Sequence, residues 1–230
     1  MIKFENTEVM NFSGAFRGMR NPLNSWDKSD SAYCYDMDDC RGCKYYSFDN
    51  GTHICNEKYG NPFIIGPNDL NLAQRLIKAG PDHRKFLRQI FVSVDITAPL
   101  YWWKEFDTYK VATVSNSCST MHTIHKKEFT LDDFSHDKLG YQGRIVLQSV
   151  IYNLNDYRKD FIETKDKSYW YQLIQLLPSS YNQKRTITLN YETLRNIYGS
   201  RRNHKLDEWS IGFMSWIDSL PYAEELIKYV

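Results

Sequence analysis

No stretch of this sequence approaches the ~20 consecutive apolar residues that a membrane-spanning helix needs. The first residues, MIKFENTEVM, lack the basic segment followed by an apolar run that marks a secretory leader. These two absences point to a soluble, cytoplasmic protein without a membrane partner. Neither charge sign dominates either: 29 Lys and Arg face 28 Asp and Glu, for a formal charge of +1. Such a balance exerts no general pull on nucleic acid, so no nucleic-acid partner is expected and any anionic ligand must be held by a local site. Internal repeats and low-complexity tracts are missing as well. What the chain has in quantity is aromatic rings, 17 Tyr, 12 Phe and 6 Trp, which suit cores, subunit interfaces or stacking on flat rings. With 230 residues, 42% of them hydrophobic, one sizeable core can be buried, and a single globular domain over residues 1–230 is expected.

Cysteine is scarce and unevenly placed, four of the five falling between Cys34 and Cys55. In a reducing compartment such a cluster reads as metal-binding before it reads as disulfides. Cys34, Cys40, Cys43 and Cys55 are separated by five, two and eleven residues. The CRGC pair has the spacing of a metal knuckle, and four thiolates suit zinc or an iron–sulfur cluster, with His53 an alternative ligand. The alternative is four reduced thiols in a loop. The surrounding segment, Asn21 to Pro67, is rich in Asn, Asp, Ser, Gly and Pro and reads as a loop-rich insertion with short hairpins.

Beyond it the patterning becomes regular. Asn68 suits a helix cap, Leu70, Leu72, Ala73, Leu76 and Ile77 suit one helical face, and Gly80 closes the run. IFVSVDI, from Ile90 to Ile96, alternates as a half-buried strand does, and Thr97 and Pro99 then open a helix. Val111 to Val114 reads as extended. Thr130-Leu-Asp-Asp is a capping-type start, and a long amphipathic helix follows from about Gln142 into DYRKDF. Further helices fit Tyr169 to Leu177, Tyr191 to Tyr198 with Asn190 as cap, and the tail from about Lys205 to Tyr229 with a break at Pro221.

Three separated stretches resemble the flavin-dependent thymidylate synthase (ThyX) family. AGPDHRKFLRQIFVSVDI is similar to that family's entry into its central strand, with Gly80, Phe86 and Phe91 agreeing and Leu87-Arg88 standing where the family has Glu-His. TYKVATVSNSC lies where the family carries Arg-His-Arg-x-x-Ser-x-Asn-Glu-x-Ser. Thr108, Tyr109 and Lys110 replace the basic triplet, Ser115 and Asn116 replace Asn-Glu, and Cys118 replaces the last Ser; a one-residue slip would put Asn116 on the Asn and Ser119 on the Ser. LLPSSYNQKRTITLNYETLRNIYGSRR, counted from Leu177-Pro178, puts Asn190, Asn196 and Arg201 on the family's Asn, Asn and Arg, and HKLDEW resembles its His-Ala-Gln-Trp-Glu. Two departures bear on chemistry: Glu105 stands where the family has Gln, and Ile174 where it has a phosphate-binding basic residue.

The resemblance implies an α+β, ThyX-like fold with a central antiparallel sheet flanked by long helices, and a homotetramer that builds each active site from several subunits. It implies FAD as cofactor, a uracil nucleotide (dUMP) as small-molecule substrate, NADPH as electron source and methylenetetrahydrofolate as carbon donor. On this reading Arg201 is catalytic. Asn190, Asn196, Arg88, Tyr109 and Lys110 serve the cofactor, and Glu105, Asn116 and Cys118 serve the substrate. The residues support parts of this independently. A guanidinium presents paired donors that polarise a pyrimidine carbonyl, although an Arg at a helix C-terminus also suits the helix dipole. Asn190 at a helix start is equally a cap. Lys110 is a phosphate ligand or a solvated charge. Glu105 would repel a phosphate in the same pocket. His122 and His125, three apart, lack the acidic motif of a zincin. Two functions therefore stand side by side: an FAD-dependent one-carbon transfer to a pyrimidine, or a binding protein that kept the fold and lost the chemistry.

Overall fold

A computed structural model describes residues 2–34 and 62–230, together with the backbone of 46–49 and 52–55. Strand β1 (Lys3–Met10) leads into helix α1 (Phe12–Arg20), and short strands follow: β2 (Ala32–Tyr33), β3 (Tyr46–Asp49), β4 (Thr52–Cys55) and β5 (Phe63–Ile64). Helix α2 (Pro67–Lys78) precedes strand β6 (Phe91–Pro99), helix α3 (Leu100–Phe106), strand β7 (Val114–Ser117) and the single turn α4 (Thr120–Thr123). Then come the long helix α5 (Tyr141–Thr164), helix α6 (Lys167–Leu176), strand β8 (Asn182–Asn190) and helix α7 (Tyr191–Arg201). Helix α8 (Met214–Asp218) is flanked by two π-helical turns, Glu208–Phe213 and Ala223–Ile227. The main sheet runs β1-β6-β8-β7, with β7 and β8 antiparallel, and the expected α+β class of helices with an antiparallel sheet is what forms.

The described chain packs as two compact units. The first is Met1–Glu8, Val92–Leu189 and Asn196–Leu220; the second is Val9–Phe91, Asn190–Arg195 and Pro221–Val230. In the first unit the period-2 pattern of β6 buries Val92, Val94, Ile96 and Ala98 on one face of the sheet. The aromatic surplus is spent nearby. Trp102, Trp103, Phe106, Trp209 and Phe213 are all fully buried, with Trp102 and Trp209 ring centroids 4.5 Å apart and Trp209 and Phe213 5.1 Å apart. Each such ring contributes roughly 1.5–3 kcal/mol on burial, with edge-to-face and stacked contacts adding to that. A separate cluster of Ile124, Phe129, Phe134, Leu147, Leu154 and Leu173 holds α5 and α6, and Ile174 packs against it.

The second unit centres on a charged pair. Arg20 and Asp69 are 4% and 0% exposed, with Nε donating to Oδ1 at 2.6 Å. The other carboxylate oxygen of Asp69 accepts from Ser29 Oγ at 2.8 Å and from the Ser31 amide at 3.1 Å. Burial alone would raise this carboxyl. The hydrogen bonds from Ser31, Ser29 and Arg20, with the Arg20 charge, outweigh it and hold Asp69 below its ordinary range.

The structure departs from the sequence expectations at definite points. Helix α2 begins at Pro67 with Gly66 in the cap position, and the Asn68 amide is capped from elsewhere, by the Asp30 carboxylate at 2.8 Å. Strand β6 runs on through Pro99, so α3 is shorter than expected and starts at Leu100; its first amides, Leu100 and Tyr101, donate to the carbonyls of Tyr181 and Ser179. The extended segment expected at Val111 begins only at Val114, because Ala112 takes a left-handed conformation with φ 53°. Helices α5, α6 and α7 form where the periodicity placed them.

Candidate functional site

Arg201 ends α7 in the first unit, and the arrangement around it is built by two other short segments. Helix α3 carries Glu105 in its last turn, and the chain leaving that helix carries Tyr109. Arg201 Nε donates to Tyr109 Oη and Nη1 to Glu105 Oε2, both at 2.8 Å. The guanidinium carbon sits 5.2 Å from the Trp209 ring centroid and 5.6 Å from that of Tyr109, a cation–π contact on two sides. His204 reaches the same carboxylate oxygen with Nε2 at 3.2 Å. Its Nδ1 accepts the Leu206 amide at 3.2 Å. Arg201 is therefore part of a charge-compensated cluster, with Nη2 making no hydrogen bond among the described residues. Glu105 Oε1 likewise accepts none.

A second feature of the first unit is a cleft of about 250 Å³ beside β7, β8 and α4. Its walls include Cys118, Lys127, Glu128, Asp133, Asn182 and Lys184. Sheet pairing places them: the Cys118 amide donates to the Lys184 carbonyl at 2.9 Å, and Gln183 Nε2 donates to the Cys118 carbonyl at 2.9 Å. Lys127 pairs with Asp133 at 2.9 Å, and Lys184 lies 3.2 Å from both Glu5 and Asp95. Asn182 Oδ1 is buried and has no partner among the described residues, an acceptor awaiting a donor.

No protein-family model matches the sequence, and no curated protein matches it. Solved structures do. The chain superposes on the flavin-dependent thymidylate synthase ThyX of Helicobacter pylori complexed with FAD and dUMP, with a TM-score of 0.65 over 98% of each chain at 15% identity. A further Helicobacter pylori ThyX structure with FAD and dUMP gives 0.64 over 99% of this chain and 98% of that one at 16% identity. The chain has the ThyX fold. An identity this low carries the backbone arrangement and leaves the chemistry to be argued from side chains.

Of the residues that the ThyX resemblance singled out, Arg201, Glu105 and Tyr109 meet in one cluster. Cys118 is exposed and lines the cleft, and Asn116 is exposed on β7, where it pairs with Thr186. Lys110 and Asn196 are exposed, and their side chains make no hydrogen bond among the described residues. Asn190 is 2% exposed, and its Oδ1 accepts from the Thr193 amide at 2.9 Å and hydroxyl at 3.1 Å, so it caps α7. Arg88 lies in the second unit, exposed, donating to the Pro81 carbonyl at 3.1 Å. Cys40 and Cys43 lie outside the described residues, as does the side chain of Cys55; Cys34 is half-buried. Among the described residues no group of three His, Cys, Asp or Glu could hold a metal ion, so neither zinc nor an iron–sulfur cluster gains support.

Sequence reasoning missed His204, Trp209 and the cleft wall at Asn182 and Lys184. His204 and Trp209 stood inside the HKLDEW stretch without a role. Asn182 and Lys184 come four and six residues after Pro178, in a stretch whose strand character was not read.

Proposed function

We propose that this chain is an FAD-dependent enzyme of the thymidylate synthase type, transferring a one-carbon unit to C5 of a uracil-type pyrimidine. Methylenetetrahydrofolate is the carbon donor in this reading and NADPH the reductant. The observation that carries it is the shared fold, spanning 98% of this chain and 98% of a ThyX chain that holds FAD and dUMP. The residues present fit a flavin in part. Exposed Lys110 and Asn196 keep donors for phosphate or ring oxygens, and Tyr109 offers an aromatic face. Arg201 keeps Nη2 to polarise a ring carbonyl, while Asn116 and Cys118 stand with the pyrimidine. A bound flavin supplies the redox chemistry; the side chains bind, orient and polarise.

A second reading is a catalytically degenerate ThyX-fold protein that binds flavin or nucleotide in a structural or regulatory role. It is favoured by one observation: Arg201 meets its counter-ion, Glu105, within the chain. The active form in either reading is a homotetramer. Tyr141, Ile145 and Tyr152, all exposed on α5, fall within about 40° of one another at 100° per residue, on the side away from buried Leu147 and Leu154, and offer an apolar face to another copy.

Purification followed by absorbance spectroscopy and mass identification of bound ligand tests both. A yellow protein that oxidises NADPH and methylates a pyrimidine with methylenetetrahydrofolate supports the enzyme. Yellow protein without turnover supports the binding protein, and protein that neither retains nor takes up FAD sinks the two together. Light scattering on the same sample is expected to give four copies, and a monomer at micromolar concentration would count against the tetramer.

A further inference from the structure

A single carboxylate oxygen, Glu105 Oε2, serves two neighbours of different chemistry: Arg201 Nη1 at 2.8 Å and His204 Nε2 at 3.2 Å. The histidine is held for this contact by the turn that follows α7. Its amide donates to the Arg201 carbonyl at 3.0 Å, its Nδ1 accepts the Leu206 amide at 3.2 Å, and its ring meets that of Trp209 edge-on. The acids of the same turn are engaged elsewhere, Asp207 with Lys138 at 2.7 Å and Glu208 with the Tyr101 hydroxyl, while Lys205 is exposed. The cluster is completed by Glu105 from α3, Tyr109 from the segment after α3, and Arg201 from α7. Of these side-chain types only an imidazole ordinarily changes its charge between about pH 5 and 8. With His204 neutral, the Arg201 and Glu105 charges cancel; with His204 protonated, one carboxylate faces two cations and the cluster is net positive. Arg201 Nη2 makes no hydrogen bond among the described residues and is not one of their buried unpartnered atoms, so it reaches solvent and is open to a ligand.

We infer that His204 is a positioning residue for Arg201: by sharing the Glu105 carboxylate it sets how much of the guanidinium charge reaches a pyrimidine carbonyl, so that pyrimidine binding strengthens and takes up a proton as pH falls. The inference rests on the reading of Arg201 as the pyrimidine contact and adds the residue that governs it. A ring carbonyl oxygen carries partial negative charge and is held more firmly beside a net positive cluster than beside a neutral one. Arg201, Glu105 and His204 are 20%, 34% and 22% exposed, and water at that level of exposure limits the effect to a few-fold.

The test is isothermal titration of FAD-loaded full-length protein with deoxyuridine from about pH 5.5 to 8, in buffers of different ionisation enthalpy. Deoxyuridine is the probe because the phosphate of dUMP itself titrates at about pH 6 and would mask the histidine. Affinity is expected to rise about threefold to tenfold from the alkaline to the acid end, with about 0.3–0.5 proton taken up per pyrimidine bound near the middle of the range. His204→Gln keeps a donor for Glu105 and cannot titrate, so it should abolish both the pH dependence and the proton uptake. Arg201→Met should weaken binding and abolish both as well. His122→Gln, at an exposed imidazole on α4, should leave both as in the wild type. Wild-type binding without proton uptake overturns the inference and leaves the pyrimidine reading standing, whether or not the His204→Gln protein folds. Proton uptake that persists in folded His204→Gln protein overturns it too, by assigning the titration to another group. Failure of the protein, with or without FAD, to bind deoxyuridine at any pH overturns the pyrimidine reading and the inference together.

Discussion

Replacing Glu105 by Gln tests how much of the Arg201 arrangement is electrostatic. The substitution keeps the side-chain shape and removes the charge that accepts from Arg201 Nη1 at 2.8 Å and lies 3.2 Å from His204 Nε2. The two partners of the ion pair are 20% and 34% exposed, between a surface pair and a buried one. Water therefore screens part of the attraction, and a coupling of about 1 kcal/mol is expected, at the upper end of exposed pairs and below the several kcal/mol of buried ones. Weakening the 3.2 Å His204 contact as well brings the cost of Glu105→Gln alone to roughly 1.5 kcal/mol, a fall in Tm of about 3–6 °C for a chain of this size. The assay is a double-mutant cycle in urea and by calorimetry, with Glu105→Gln, Arg201→Met and the pair. Arg202→Met is the control, because that guanidinium lies over the Tyr198 ring at 5.7 Å and is not paired with Glu105. A coupling energy below about 0.3 kcal/mol would show that the pair does not hold Arg201 in solution, and both the compensated cluster and the argument for a degenerate site would fall. A measurable coupling with FAD and pyrimidine affinity raised in Glu105→Gln would mean that ligands compete with Glu105 for the guanidinium.

Two further outcomes follow from buried polar groups. Asp69→Asn strips the counter-ion from Arg20, 4% exposed, and should cost about 3–5 kcal/mol in urea unfolding; a loss under about 1 kcal/mol would refute the assignment of that pair as a buried ion pair. In the wild type, the depressed Asp69 carboxyl contributes stability that is present above its unfolded value of 3.8 and is lost as pH falls through its lower folded value. Tyr101 behaves oppositely: burial, then the hydrogen bond to Glu208, pushes its hydroxyl up to about 12 from 10.0. Its contribution is full below pH 10 and is lost as pH rises through 12, so Tyr101→Phe should flatten the wild-type stability loss over that window; superimposable pH profiles of the two proteins would rule it out.

The sequence by itself determined the elements whose cause is local. The long helix α5, helices α6 and α7, the cap at Asn190 and the alternating strand β6 were all legible, because period and capping chemistry act within a few residues. It also carried the order of motifs that led to the ThyX fold, which the solved structures bear out at 15% identity. Strand β8 and the shifted start of β7 were not legible. Their boundaries come from pairing Val114 with Thr188 and Ser117 with Arg185, partners some seventy residues apart in the chain. The same reason explains the cap of α2, whose acceptor is Asp30, and the first amides of α3, which are satisfied by Ser179 and Tyr181. At the candidate site, Arg201, Glu105 and Tyr109 could be named one by one from spacing. That the carboxylate and the guanidinium neutralise each other, and that the cleft lysines are likewise already paired, was decided by tertiary packing alone. An ion pair is a property of two side chains at 2.8 Å, and distance between residues 105 and 201 is set only when the chain between them has folded.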